Sequence, residues 1–186
     1  MTDAAFEQAY AKTSGVEGGY SFDPTDPGGE TNWGITVAVA REWDYAGPMK
    51  DMTRDQAKGI YYRRNWLGAG LDKIAVLSVA IASELFDSGV NCGIETAGKW
   101  LQRSLNVLNR GGSDYPDVVV DGKIGDATAK ALRGLIAVRG AQQAVGVVLT
   151  ALNCLQGARY IELAEGAPKL EKYEWGWLSK RVGIAA

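Results

Sequence analysis

The 186-residue sequence predicts a mainly α-helical fold with a small β-hairpin lobe and a central buried helix. Three observations predict it. Most of the chain repeats apolar residues every three to four positions, the helical spacing. The stretch Val16–Thr36, VEGGYSFDPTDPGGETNWGIT, breaks that rhythm with Gly-Gly, Asp-Pro and Pro-Gly-Gly turn formers. Ile74–Ser83, IAVLSVAIAS, carries no charge and is apolar on all faces, as a helix at the centre of a domain is.

Each element follows in order. Asp3–Val16 places Phe6, Ala9, Tyr10 and Thr13 on one helical stripe, and Gly18-Gly19 ends it. The turn-rich stretch predicts a loop and a short hairpin. Thr36 opens a second helix to about Asp44. Thr53 followed by Gln56 is a capping box that opens a helix through Trp66. The apolar run becomes one helix from Ile74 to Asn91, with Glu84, Asp87 and Asn91 near its end. Thr96–Asn109 is amphipathic. The loop 110–125 leads to helices near 127–138, 141–163 and 169–182. It is the only plausible lobe boundary. The chain is read as a catalytic part spanning 1–95 and a helical part spanning 96–186, packed into one globule. Trp175 and Trp177 are expected in the core or between lobes, and Cys92 and Cys154 as buried thiols.

Composition narrows the chemistry. Apolar residues make up 46% and charged residues 23%, an ordinary globular balance. The net charge of −2 gives no global field for nucleic acid. The halves differ: 8 Lys/Arg against 13 Asp/Glu in residues 1–92, and 12 against 9 in residues 93–186. Histidine is absent, which excludes Ser-His-Asp and Cys-His catalysis and zinc centres that need imidazole. Two cysteines are too few for a disulfide framework or a Cys-rich metal site. The N-terminus MTDAAFEQAY lacks the basic start and long apolar run of a signal peptide, and no segment reads as a membrane span. Synthesis in the cytoplasm, without stable membrane insertion, is the expectation.

What remains is carboxylate chemistry. Glu17 lies 11 residues after Phe6, so a continuous helix brings it to within roughly 20° of the core-facing direction. Apolar neighbours and the negative helix end both disfavour its charged form and raise its pKa. That is what a general acid needs. The alternative is an exposed Glu at a frayed end. Asp26 follows nine positions later in DPTDPGGE, either as a turn cap or as a second, ionised carboxylate. Two carboxylates with separated pKa values are the minimum equipment for cleaving a glycosidic bond. Thr31 is either a strand residue or the hydroxyl that holds a water for Asp26.

Glu17-Gly18-Gly19-Tyr20, Asp26-Pro27-Gly28-Gly29, Thr31-Asn32 and Gly34-Ile35-Thr36 together resemble the signature of glycoside hydrolase family 108, the phage-type muramidases. MTRDQAKGIYYRRNW and LFDSGVNCG extend the likeness. DGKIGDATAKAL and GWLSKRVGI resemble the predicted peptidoglycan-binding segment that follows this catalytic part, so the resemblance covers nearly the whole chain. It implies a lysozyme-like fold and cleavage between N-acetylmuramic acid and N-acetylglucosamine, with no metal or cofactor. It implies Glu17 as catalytic acid. The wider phage-lysozyme pattern of Glu, Asp and Thr adds Asp26 and a threonine. Thr31 comes one residue early for that pattern, so Thr31 and Thr36 compete.

The same likeness suggests that Asp87 and Asn91, four apart on one helix face, line a sugar cleft. Salt bridging by Asp87 and helix capping by Asn91 are the alternatives. Tyr20, Asn32 and Trp33 are further candidate sugar contacts, Trp33 equally a core residue. The implied partners are glycan strands of peptidoglycan. The implied setting is an endolysin acting as a monomer, held in the host cytoplasm until a holin or similar pore admits it to the wall. A lytic transglycosylase and a catalytically silent wall-binding or secretion-assisting protein are the competing readings.

Overall fold

The computed structural model describes residues 3–13, 19–22 and 29–182. Helix α1 (Ala4–Thr13) is followed by the hairpin strands β1 (Thr31–Asn32) and β2 (Ile35–Thr36), then α2 (Val37–Glu42). Helix α3 (Arg54–Tyr61) runs without a break into a π-helical stretch, Tyr62–Leu67. Helices α4 (Leu71–Ala75), α5 (Val79–Cys92) and α6 (Ile94–Leu108) complete the first part and cross into the second. Helices α7 (Asp126–Arg139), α8 (Ala141–Gly166) and α9 (Glu171–Arg181) follow. This is the mainly helical, lysozyme-like architecture with one small hairpin that the sequence predicts.

Helix α5 is the centre. Helices α1, α4, α6 and α8 all pack on it, over Ile81, Ala82, Leu85 and Phe86. Beneath it Phe6, Tyr62, Trp66 and Phe86 meet at ring separations of 4.9 to 6.1 Å, tilted or edge-on, as aromatic quadrupoles prefer. The core runs uninterrupted from Phe6 in α1 to Leu152 in α8, across residue 95.

Close backbone contacts hold the 121–128 turn against α6 and against the start of α4. A Cβ on Gly98 would collide with the Gly122 carbonyl oxygen, and one on Gly70 (φ 72°) with that of Ile124. Only glycine permits such approaches. Fully buried Gln102 ties the 121–128 turn down: Oε1 accepts from Gly122 N at 2.7 Å, and Nε2 donates to Asp121 Oδ1 at 2.9 Å and Lys123 O at 3.1 Å.

Four expectations need correction. The helix read as Ile74–Asn91 is two helices, because the Ser78 hydroxyl accepts from Ile81 N at 3.2 Å and caps a new start. Trp175 is 85% exposed; only Trp177 packs, stacked on Tyr160 with centroids 5.2 Å apart. Cys154 is exposed, because α8 turns another face inward, and Cys92, at the end of α5, is half-buried. Helix α8 is also long and apolar enough to cross a bilayer by length and composition. Its stripe Ala144, Val148, Leu152, Gln156 and Tyr160 instead packs inside the protein.

Candidate functional site

The hairpin turns through two residues, Trp33 (φ 52°) and Gly34 (φ 74°). Positive φ at both matches the twist of the flanking strands, and it is costly for a ring-bearing residue. Trp33 is held there from both ends. Its Nε1 donates to Met52 O at 2.8 Å, and Tyr61 Oη donates to its carbonyl at 3.4 Å. Neighbouring Asn32, 3% exposed, donates Nδ2 to Met49 O at 2.7 Å. The 3-10 turn Met49–Asp51 thereby becomes a shelf for the hairpin.

On that frame Thr31 pairs with Thr36 and Asn32 with Ile35. Ser21 adds a third rung, exchanging backbone bonds of 2.8 and 2.9 Å with Thr31. Asp26 falls in sequence between the two residues of that rung. Both Glu17 and Asp26 lie outside the described residues. Tyr20 is 45% exposed and donates its hydroxyl to Glu30 Oε1 at 3.2 Å.

The two threonines differ in occupation. Thr36 is the N-cap of α2, its Oγ1 accepting from Val39 N at 3.4 Å. Among the described residues no side chain takes up the Thr31 hydroxyl. Asn32 Nδ2 and Trp33 Nε1 both donate to the Met49–Met52 turn and so hold the hairpin.

Asp87 and Asn91 do share one face of α5, and the protein itself occupies them. Asp87 accepts from Arg181 Nη1 at 2.8 Å, Gln156 Nε2 at 3.3 Å and Asn91 Nδ2 at 3.2 Å. Asn91 also donates to the Asp87 carbonyl at 2.7 Å. These are the salt-bridge and capping alternatives. They join α5 to α8 and α9.

One titratable group was not singled out from sequence. Glu84 sits three residues before Asp87 and is 5% exposed. Its Oε1 is buried with no hydrogen-bond partner among the described residues, and Oε2 lies 3.7 Å from Lys12 Nζ at the end of α1. Burial raises its pKa first of all; Lys12 pulls it down and Asp87 pushes it up. The spacing 84, 87, 91 on a buried helix was the available signal. Among the described residues no group of three His, Cys, Asp or Glu side chains could hold a metal ion.

Residues 10–93 match the family described as Glycosyl hydrolase 108, and residues 96–182 match the one described as Predicted Peptidoglycan domain. The chain is similar to the solved structure of SagA from Brucella abortus, at 26% identity and a TM-score of 0.64, over 95% of this chain and 88% of that one. No curated protein matches it.

Proposed function

We propose that this chain, whose residues 10–93 match the glycosyl hydrolase 108 family, is an N-acetylmuramidase acting on peptidoglycan. Its target is the β-1,4 bond between N-acetylmuramic acid and N-acetylglucosamine. The observation that carries this is the family match over residues 10–93, which contains the Glu17–Thr36 segment whole.

Glu17 is the general acid. It protonates the glycosidic oxygen as the C1–O bond breaks and the electron pair leaves with that oxygen. Asp26, ionised, takes a proton from a water that attacks C1 from the opposite face. Thr31 orients that water. Its support over Thr36 is that the Thr36 hydroxyl caps α2, while among the described residues no side chain takes up that of Thr31. The product is a reducing N-acetylmuramic acid end of inverted configuration. Tyr20, exposed beside Glu17 in sequence, borders the bound glycan.

The phage-type resemblance supports an endolysin role: the chain accumulates in the host cytoplasm, a membrane pore admits it to the wall, and lysis follows.

Clearing of outer-membrane-stripped bacteria tests the mechanism. Glu17→Gln lowers the rate by roughly 10²–10⁴-fold, the range for losing a general acid, with an unchanged melting curve. Asp26→Asn falls comparably. Full activity in Glu17→Gln sinks the assignment. Mass spectrometry of the fragments separates hydrolysis from transglycosylation, because anhydro ends weigh one water less than reducing ends.

A further inference from the structure

A concave surface lies between the end of α2 and one face of α3, a groove of about 470 Å³. That is within the usual size of a small-molecule site. It is lined by the aromatic residues Trp43, Tyr45 and Tyr62 and by the polar residues Asp44, Gln56 and Arg63. We propose that this groove binds the amino-sugar glycan of peptidoglycan, with a sugar ring seated over Gly59.

The walls are fixed before any ligand arrives. Arg41 lies over the Tyr45 ring, 5.9 Å from its centroid, and donates to Gly47 O at 2.9 Å. Tyr45 Oη donates to Pro48 O at 2.8 Å. Arg63 lies 5.9 Å over the Trp43 ring and donates Nη2 to Trp43 O at 3.1 Å. Gln56 accepts from Thr53 N at 2.8 Å through Oε1, which orients its amide and leaves Nε2 to donate. Rigid aromatic walls bind at low ordering cost.

Backbone irregularities converge on the same place. Asp44 has φ 66°, and the π-helical stretch begins at Tyr62. Strained residues and π-turns cluster at functional sites. Gly59 is the most informative. It sits inside a continuous helix, where glycine is unfavourable relative to alanine. A Cβ there would meet no atom within 4 Å. The fold does not require glycine at this position, and since Gly59 lines the groove a larger side chain there would take up space in it.

The chemistry suits a sugar. Aromatic faces cover the C–H faces of a pyranose, and tyrosine and tryptophan keep a polar edge. Asp44 accepts from hydroxyls, Gln56 Nε2 donates to an acetamido carbonyl, and Arg63 pairs with the carboxylate of a muramyl lactyl group. The choice of glycan rests on the glycosidase reading above.

The test is sedimentation of the full chain with purified peptidoglycan sacculi, in a Glu17→Gln background so that the wall stays intact. Gly59→Leu is expected to weaken binding roughly tenfold, the scale of a misfilled pocket. Gly59→Ala is expected to weaken it less while raising Tm by about 2–4 °C, from helix propensity. Arg63→Ala weakens binding without filling the groove, and decides the matter if Gly59→Leu does not fold. Sedimentation equal to the parent in the folded variants overturns the proposal, as does a lowered Tm in Gly59→Ala. Should Glu17 prove dispensable while Gly59→Leu still releases the wall, the mechanism falls and the groove stands.

Discussion

Thr31 and Thr36 face each other across the hairpin as a directly opposed pair, and only Thr36 spends its hydroxyl on capping a helix. Opposed residues put their side chains on the same face of the ribbon. The competition between them for holding water is therefore one of availability, since both occupy the same neighbourhood. Thr36→Ala should cost about 1 kcal/mol of stability, the usual worth of an N-cap, seen as a Tm lowered by about 2–4 °C. Thr31→Val should leave Tm nearly unchanged and reduce clearing far more per folded molecule. The reverse pattern moves the water-holding role to Thr36.

Glu84 makes stability depend on pH. Its pKa is raised in the folded protein, mainly by burial. Folding therefore favours its protonated form. That contribution is fully present below the unfolded glutamate value of about 4.3 and is lost as pH rises through the raised folded value. Lys12 and Asp87 are the charges that act on it. Glu84→Gln should melt above wild type near neutral pH, with the gap closing toward pH 4. Thermal melts from about pH 4 to 8 check this; a gap independent of pH refutes it.

Arg181 reaches Asp87 across a gap of 94 residues, binding α9 to the central helix. Asp87 is buried and Arg181 about one-third exposed. Removing one partner of a buried pair is strongly destabilising, and solvent at Arg181 tempers that. Arg181→Ala should cost about 1–3 kcal/mol, measured by urea unfolding. Arg181→Lys should recover only part, since an ammonium lacks the planar fork.

Gly98→Ala should be among the most damaging single-methyl changes in the chain. The added carbon meets the backbone of Gly122, which no rotamer change can move. A loss of at least about 1–3 kcal/mol is expected from such overpacking. Gly146→Ala on α8, where a Cβ meets nothing within 4 Å, is the matched control and should be neutral or stabilising.

Much of this molecule was legible in the sequence because local rules agree with the fold. The Thr53–Gln56 capping box forms as read, with both reciprocal bonds present. The charge-free run marks the centre only in part: Ile74, Ile81 and Ala82 are buried, while Val76 is 83% exposed. The break at Ser78 was hidden because apolar residues flank it on both sides, so periodicity alone carried no punctuation there. Trp175 misled for a related reason: large aromatic residues are usually buried, and nothing adjacent in sequence says which side of α9 faces out. The partners of Asp87 were illegible because they lie 69 and 94 residues away. Gly59 looked like any helical glycine until the groove above it was seen.

Between α5 and α6 stands a single residue, Gly93, with φ 97°. The two family segments meet at that joint, one ending at 93 and the other beginning at 96. Boundaries between separable modules normally fall in exposed linkers that few contacts cross. Here the joint is a hinge-length corner inside one core. The two segments thus pack as a matched set. A chimaera that grafts residues 96–182 from a relative must also import the surfaces that receive them: Gly70 beneath Ile124, and Asp87 opposite Gln156 and Arg181.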